Sequence, residues 1–523
     1  MSEEGPKPLY WLPALLTIVA ALGIWAGSSL LGGSDSTGNK EIQKLEQIFE
    51  VLDQQYVDKI NKEEIFEETI AELLHKLDPH SNYVSAKDIK LLDEQTNAAF
   101  GGIGVRFLLF RDTICVTHVN ELSPADLAGL KRGDRIVAIN NKSSCGKFMT
   151  NEKVMTRLKG APDTQVKVTL LRKGKKLHKT LTRGIIPIQT VNCSYMIKDQ
   201  VGYIKIAQFS IPTANEFKAT AQRLLLSGMK KLILDLRGNG GGTMETAIQI
   251  ADEFLPANRI ILSSKGLHSK EKKFTSTAGG LLESTKVAVL IDAQSASASE
   301  ILAGALQDND RATIIGRRSY GKGLIQQDKR LSDGSNIRIT VARYYTPSGR
   351  SIQRPYKEGY DAYKAAEDRA YADEYFRPDS SIFVDSLKYK TLKGRVVYGG
   401  GGIMPDIFVP GDTSGTSMYL TELLWAGAFN AFAFDYLNQH PQTLNLQTFI
   451  LEFKVTDALL QSFTRFAQKE FNIVYQASEF AHSKKRITQN LKAEIASHLF
   501  TEDGYYRVVN TQDKEIQRAL KQL

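Results

Sequence analysis

The chain has 523 residues, of which 42% are hydrophobic and 24% charged, and its net charge is +9. This composition is typical of globular proteins and excludes fibrous and fully disordered classes, and the length predicts several folding units. The charge is modest for this length and does not indicate nucleic-acid binding. Cys115, Cys145 and Cys193 form no CxxC pair and no Cys/His cluster. Neither a disulfide framework nor a structural metal is therefore predicted.

The first 35 residues contain a long apolar stretch. Residues 9–31 include no charged side chain over 23 positions. A helix of this length can cross a bilayer core of about 30 Å, whereas the apolar part of a signal peptide has about 7–15 residues. We therefore expect an uncleaved transmembrane anchor within residues 1–35. Cleavage after the small residues Ala26, Gly27 and Ser28 is the alternative.

Two modules are predicted to follow the anchor. Residues 36–98 repeat apolar positions every three or four residues, which predicts helices, with an interruption at "LDPHSNYVS". Residues 99–185 contain short strands such as "TICVTHV", which predict a β-rich module. Within residues 101–183 there are 17 Lys/Arg against 6 Asp/Glu. The partner of this basic module would be acidic, carboxylate-ended or a membrane surface; a merely solvated basic face is the alternative.

Residues 186–412 alternate apolar strands with helices. The strands "VGYIKIAQF", "KLILDL", "KVAVLI" and "ATIIG" are continuously apolar, as buried parallel strands are. The pattern predicts an α/β core built from β-α repeats. Residues 413–523 are again predicted to be helical. The fold class is therefore multidomain α/β, with an inserted β-rich module and helical N- and C-terminal regions.

The hexapeptide "SASASE" (residues 295–300) begins the helix after "KVAVLI". Glu300 lies three residues after Ser297, the spacing of a capping box, so Ser297 could simply cap that helix. The same position also suits a nucleophile, because the free N–H groups of a helix start stabilise an oxyanion. On the local pattern alone both interpretations stay open.

A serine nucleophile needs a base, and Lys322 is the nearby candidate. None of the eight histidines is predicted to lie in the α/β core after "ATIIG", or beside a suggestive carboxylate. Lys322 lies between two glycines in "SYGKGLIQQ", directly after that strand. A lysine acts as a base only when burial or a positive neighbour lowers its pKa. A surface lysine in a flexible loop is the common alternative. The glycine-rich turn "DLRGNGGG" (residues 235–242) could supply an oxyanion donor or be only a sharp turn.

Taken together in chain order, these motifs resemble the C-terminal processing peptidases, tail-specific serine proteases with a Ser/Lys dyad and a PDZ domain. The resemblance extends from about residue 40 to 410. It places the nucleophile at Ser297, the general base at Lys322 and a lysine-orienting glutamine at Gln326. It implies an oxyanion hole formed by the backbone N–H of Ala298 and one from the glycine turn, at Gly241 or, alternatively, Gly242. It also aligns an acidic position of some members with Asp308.

The resemblance also implies how substrates would bind. The PDZ-like module would hold a C-terminal carboxylate at a backbone loop, which comprises Gly101, Gly102, Ile103, Gly104 and Val105, and it would gate the active site. The expected substrates are proteins or peptides with accessible tails, with no metal or organic cofactor and no nucleic acid. The expected location is the bacterial cell envelope, with the protease anchored in the inner membrane on the periplasmic side or, after cleavage, periplasmic. Homo-oligomerisation is left open. The alternatives are a catalytically silent PDZ scaffold and a crotonase-like acyl-CoA enzyme.

Overall fold

A computed structural model of the protein describes residues 40–378 and 383–523. The predicted anchor at residues 9–31 lies outside these ranges. Among the helices within them, none combines the length and the apolar character that a membrane crossing requires. The chain divides into two compact units, Met1–Leu73 and Leu74–Leu523.

The first unit contains helix α1 (Lys40–Gln55) and most of helix α2 (Lys62–His75). Phe49 and Phe66 meet edge to face, with ring centroids 5.8 Å apart. Lys62 and Asp53 form an exposed ion pair at 2.6 Å. The predicted helices are therefore present.

A short strand, β1 (Asn82–Val84), and helix α3 (Ile89–Asn97) follow. The strand lies within the interruption "LDPHSNYVS" between the predicted helices, where no strand was predicted. It pairs antiparallel with residues 336–338, far along the chain. Three residues carry too little periodicity to predict a strand, and its partner is fixed only by the tertiary fold.

Residues 99–187 form the predicted β-rich module. Its elements are β2 (Ala99–Gly102), β3 (Val105–Phe110), β4 (Thr113–Val119), α4 (Pro124–Leu127), β5 (Arg135–Ile139), β6 (Lys142–Ser143), α5 (Asn151–Leu158), β7 (Gln165–Arg172), β8 (Lys175–Thr182) and β9 (Gly184–Pro187). The sheet order is β3-β4-β5-β7-β8, with β6 beside β5, and β2 pairs with β9. Fully buried Ile114, Ile136 and Leu170 lie in its core.

The α/β core follows. Its elements are β10 (Val191–Lys198), β11 (Val201–Ile206), α6 (Thr213–Leu226), β12 (Lys231–Asp235), α7 (Met244–Asp252), β13 (Ile260–Lys265), β14 (Lys272–Thr275), β15 (Lys286–Ile291), α8 (Ala298–Asp308), β16 (Ala312–Gly316), β17 (Leu324–Arg330), β18 (Asn336–Tyr345), α9 (Tyr360–Asp373), β19 (Lys388–Lys390), β20 (Val396–Tyr398) and β21 (Ile407–Phe408). The four predicted strands are β11, β12, β15 and β16, which pair in parallel. The whole sheet has the order β10-β11-β12-β15-β16-β21.

Helix α8 is the central helix of this core. All of its residues from Ala298 to Asp308 are buried, as expected of a helix enclosed on every side. A second sheet, in the order β1-β18-β13-β14 with β17 also paired to β18, lies in the same unit. The two sheets together bring the ends of β12, β15 and β16 close to the start of β17.

The C-terminal region is helical, as predicted. Its helices are α10 (Met418–Trp425), α11 (Ala428–Gln439), α12 (Leu446–Glu452), α13 (Asp457–Phe471), α14 (Ala477–Val509) and α15 (Lys514–Gln522). Several begin at side chains that accept backbone N–H bonds of the first turn: Ser417, Asn445, Thr456 and Asp513. These caps satisfy donors that a helix start otherwise leaves free.

The C-terminal helices pack against the outer face of the β-rich module. Phe110 and Cys115 from strands β3 and β4 are buried against Ala431 and Phe434 of helix α11. At the edge, Arg111 makes two hydrogen bonds to Glu470, at 2.8 and 3.1 Å. Side chains alternate along a strand, so β3 directs one face to its own core and the other to the helices.

We predict that Phe434→Ala loosens this contact. Phe434 is fully buried, and truncating a buried phenylalanine costs about 3–5 kcal/mol. Denaturant unfolding should show the loss, and hydrogen exchange should rise in β3 and β4. Phe148, which is 88% exposed, supplies the matched control: Phe148→Ala should stay within about 0.5 kcal/mol of the parent. Equal losses for the two variants would contradict the described contact.

Candidate active site

Ser297 occupies a tight turn between strand β15 and helix α8. Its backbone has φ 54° and ψ −111°, a conformation that residues other than glycine rarely adopt. Ala298, the first residue of α8, therefore presents its N–H beside the serine. Such outliers persist only where the surrounding structure enforces them, and they concentrate at functional sites.

Glu300 holds this turn in place. Its carboxylate is fully buried and accepts the N–H of Ser297 at 2.8 Å. This is the carboxylate half of the predicted capping box. The same carboxylate accepts bonds from Ser319 Oγ at 2.6 Å, Gly321 N at 2.7 Å and Lys322 N at 2.9 Å. Burial raises the pKa of Glu300, and these donors oppose that rise. One side chain thus joins the turn of Ser297 to the loop of Lys322.

Lys322 lies between two glycines that the packing requires. A Cβ at Gly321 would come within 3.0 Å of the Gly402 nitrogen, and one at Gly323 within 2.9 Å of the Gln353 nitrogen. The Lys322 Nζ donates to Gln326 Oε1 at 2.8 Å. Burial, helped by the charge of Arg338, lowers the pKa of Lys322 to about 8. This lysine is therefore partly buried and partly neutral near physiological pH, unlike an ordinary surface lysine.

The side chain of Gln326 is oriented by a residue that precedes the PDZ-like module in the chain, which the sequence did not predict. Its Nε2 donates to the backbone carbonyl of His80, so its Oε1 faces Lys322 as an acceptor. The turn of His80 is itself held by Asp78, whose Oδ1 accepts the N–H groups of His80 and Ser81, each at 2.9 Å. Burial, with the charge of Lys322, lowers the pKa of His80 to about 3. The expectation that no histidine lies beside a suggestive carboxylate was therefore wrong.

The glycine turn lies against the serine turn. Backbone φ is +99° at Gly241 and +142° at Gly242. The Gly241 N–H donates to Asn239 Oδ1 at 2.9 Å, so it would have to leave that acceptor to bind an oxyanion. Ser295 and Ser299 each donate to a backbone carbonyl of the glycine turn segment, at Leu236 and Asn239 respectively. Their hydroxyls thus make structural bonds, and the two turns are held together.

The serine turn, the Lys322 loop and the glycine turn border one cleft of about 650 Å³. Ser297, Lys322 and Gln326 line it together with residues 240–242. Asp308 lies at the opposite end of α8, about 16 Å along the helix from Ser297. It forms a fully buried ion pair with Arg350 at 2.8 Å. Asp308 therefore supports the core and does not line the cleft.

The segment predicted to hold a carboxylate, residues 101–105, runs from the end of strand β2 to the start of strand β3 in the PDZ-like module, with Ile103 and Gly104 between the strands. Gly104 has φ +79°. The Ile103 carbonyl accepts the Ala125 N–H at 2.8 Å, and the Gly104 carbonyl accepts the Asn120 N–H at 2.9 Å. Strand β3, which follows, is an edge strand of its sheet in the described part of the chain. None of residues 101–105 is among those that line the cleft of Ser297.

Some residues of the site were not predicted from the sequence. Asp78, His80 and Tyr344 are the main ones; the Tyr344 hydroxyl lies 2.8 Å from the Lys322 carbonyl oxygen. "LDPHS" was recognised as an interruption between helices and as part of a motif of the family resemblance, but no role was predicted for its side chains. An Asp-Pro-His-Ser turn with polar side chains was the available signal, but nothing local pointed to a lysine far along the chain.

Comparison with known proteins identifies the modules. Residues 101–182 match the PDZ domain, residues 200–359 match peptidase family S41, and residues 28–88 match the N-terminal domain of the activating protease CtpB. Residues 419–501 match a family of unknown function, DUF8443. A PDZ domain joined to an S41 domain defines a serine-type peptidase with a peptide-binding module.

Similar proteins give the family. A carboxy-terminal-processing protease of Bartonella bacilliformis is 34% identical over 350 residues, which cover 65% of this chain and 80% of the relative. The carboxy-terminal processing protease CtpB of Bacillus subtilis is 31% identical over 350 residues, which cover 64% and 72%. A solved photosystem II D1 C-terminal processing protease is 28% identical, with a TM-score of 0.34 over 61% of this chain and 86% of that one. The chain belongs to the family of carboxy-terminal processing proteases.

We predict that Gly241→Ala impairs cleavage and Gly240→Ala does not. A Cβ at Gly241 would lie 2.6 Å from the Ala296 oxygen and 2.8 Å from Ser297 Cβ, at a positive φ. A Cβ at Gly240 meets nothing within 4 Å. Hydrolysis of an unfolded-tail substrate should fall about 5- to 100-fold in the first variant, since strained close contacts cost about 1–3 kcal/mol. Equal activity in both would show that the glycine turn does not support the serine turn.

Proposed function

We propose that this protease cleaves peptide bonds by acyl transfer, with Ser297 as nucleophile and Lys322 as general base. The observation that carries the proposal is the state of Lys322. Lys322 is partly buried, it donates a hydrogen bond to Gln326, its pKa is lowered to about 8, and it lines the same cleft as Ser297. Ser–Lys pairs are an established variant of nucleophile–base catalysis.

The reaction would proceed in two steps. Ser297 Oγ attacks the scissile carbonyl carbon while neutral Lys322 takes its proton, and Gln326 orients the lysine. The oxyanion is stabilised by the Ala298 N–H and by one N–H of the glycine turn, Gly241 or Gly242. The C–N bond then breaks as the Lys322 ammonium protonates the leaving amine. Water, losing a proton to Lys322, hydrolyses the acyl-enzyme and releases Ser297.

Substrate tails would bind at the PDZ domain. The carboxylate would meet the loop of Gly101, Gly102, Ile103, Gly104 and Val105, and the tail would add as a strand at the edge of β3. The basic balance of residues 101–183, 17 Lys/Arg against 6 Asp/Glu, would attract the carboxylate.

Helix α3 offers a route by which a bound tail would influence the cleft. Its Glu94 pairs with Lys159 of the PDZ domain at 2.6 Å, and its Leu92, Gln95 and Thr96 line the cleft. No hydrogen bond of the described residues joins Ser297 Oγ to Lys322 Nζ. We therefore propose that tail binding completes this contact through α3.

We also propose a location in the bacterial cell envelope. The uncharged residues 9–31 would anchor the chain in the inner membrane, with the protease periplasmic; a cleaved, periplasmic form is the alternative. Fractionation of expressing cells distinguishes the two, since only the anchored form stays with washed membranes.

Ser297→Ala and Lys322→Ala should each abolish cleavage. Loss of a nucleophile or its base costs about 10³-fold or more in rate. Lys329→Ala, an exposed neighbour on β17, is the matched control and should retain full activity. The measurement is hydrolysis of an unfolded-tail substrate by proteins with unchanged circular dichroism. A catalytically silent scaffold would bind the tail without cleaving it, and a crotonase-like enzyme would act on acyl-CoA thioesters instead.

Activity should rise with pH. Lys322 must be neutral to accept a proton, and its pKa is about 8, so kcat/KM should increase through pH 7 and level off above that pKa. The positive charge of Arg338 helps to lower the pKa of Lys322. Arg338→Gln should therefore move the midpoint to higher pH.

Arg330, which pairs with exposed Asp93, provides the control for that shift. Arg330→Gln should leave the profile in place. A rate independent of pH from 6 to 9 in the parent protein would exclude a lysine base.

A further inference from the structure

The C-terminal helical region contains a second large concavity, distinct from the catalytic cleft. It has a volume of about 780 Å³. We call it the basic groove, and its lining residues are Ile450, Phe453, Lys454, Val455, Ala481, His482, Lys484, Lys485, Thr488, Gln489, Lys492, Val508, Thr511 and Gln512. Most of it falls within the part of the chain that matches a family of unknown function.

The groove is elongated because one helix face forms its wall. On helix α14, Ala481, Lys485, Thr488 and Lys492 line it at spacings of four, three and four residues. Residues at these spacings share one face of a helix. Eleven positions at a rise of about 1.5 Å give a wall of about 16 Å, or three helical turns.

The charges of the groove have one sign. Four lysines and no Asp or Glu are among its described lining residues, although residues 413–523 contain 11 Lys/Arg and 11 Asp/Glu. Lys484 pairs with exposed Asp457 at 2.7 Å. Among the described ion pairs, none involves Lys454 or Lys485, and both are exposed.

Lys492 lies deeper in the groove. Its Nζ donates to the Ile450 carbonyl at 2.7 Å, and burial lowers the pKa of Lys492. A desolvated ammonium beside a carbonyl gains from an anionic partner. The groove therefore combines apolar side chains with four lysines, and no carboxylate is among its lining residues.

We propose that the basic groove binds a short acidic amphipathic helix of a partner protein. Its apolar side chains would pack on Ile450, Phe453, Val455 and Val508, and its carboxylates would meet the lysines. Helices α12 and α14, the loop of residues 453–455 and the turn of residues 511–512 line the groove. None of the lining residues belongs to a strand, so an extended tail of the kind a PDZ domain binds would find no strand edge to pair with. A concave, three-turn groove matches a helix of about 11 residues better than it matches a flat lipid surface.

The test is a selection followed by a binding measurement. A random 14-residue library displayed at the N-terminus of a phage coat protein has no free C-terminus, so it avoids the PDZ domain. It is selected on the purified full-length chain. The enriched sequence is then synthesised with an acetylated N-terminus, an amidated C-terminus and a fluorophore, and its Kd is measured by anisotropy.

We expect the selected peptides to be enriched in Asp or Glu and to carry apolar residues three and four positions apart. Lys454→Glu combined with Lys485→Glu should weaken binding at least tenfold. Lys454→Gln combined with Lys485→Gln should weaken it less. Lys147→Glu combined with Lys521→Glu, an exposed pair elsewhere, should change the Kd less than twofold.

Other outcomes would overturn it. No enriched sequence, or a Kd unchanged in the groove variant, excludes a helical partner. The parent protein could bind phosphatidylglycerol vesicles and not phosphatidylcholine vesicles. If Lys454→Glu combined with Lys485→Glu loses this binding and the control pair keeps it, the groove is a lipid site. If the parent protein self-associates as its concentration rises and only the Lys454/Lys485 double variant fails to do so, the occupant of the groove is a second copy of the chain. None of these results depends on Ser297, so they are independent of the proposed mechanism.

Discussion

The buried carboxylate of Glu300 is the constraint on which the catalytic geometry depends. It accepts the backbone N–H groups of Ser297, Gly321 and Lys322, so a single charge holds two loops that follow different strands. A buried carboxylate without donors would be costly, and here its donors compensate for the lost hydration. The same negative charge raises the pKa of Lys322 while burial lowers it. Glu300 therefore affects both the position and the proton affinity of the proposed base.

A second layer of support comes from outside the α/β core. The amide of Gln326 could face Lys322 with either its oxygen or its nitrogen, and only the oxygen accepts the ammonium proton. The carbonyl of His80 resolves this choice by accepting the amide N–H. Asp78 in turn accepts the backbone N–H of His80. The segment before the PDZ domain and the segment after it thus build one site, and the PDZ domain is inserted between two parts that must stay aligned.

The C-terminal helices contact the PDZ domain and also contain the basic groove. Phe434 packs against strands β3 and β4 of the PDZ domain, on the face opposite the PDZ core, which leaves the edge of β3 for a tail. The basic groove lies on helix α14 of the same region. A partner in that groove would bind a region that already contacts the PDZ domain. Substrate recognition and partner binding would therefore meet in one set of helices, separate from the chemistry of the cleft.

Local chemistry was enough to predict much of this protein. Continuous apolar runs indicated β11, β12, β15 and β16, because a strand buried on both faces needs no polar alternation. The family resemblance, and not local chemistry, indicated Lys322 as the base for Ser297; both residues line one cleft, and their roles stay a prediction. The strand β1, the role of His80 and the bond between Gly241 and Asn239 were decided only by the tertiary structure. The first two depend on contacts between segments that are distant in the chain, and the third depends on which acceptor a backbone N–H binds. Neither the periodicity nor the spacing of residues in the sequence predicts such contacts.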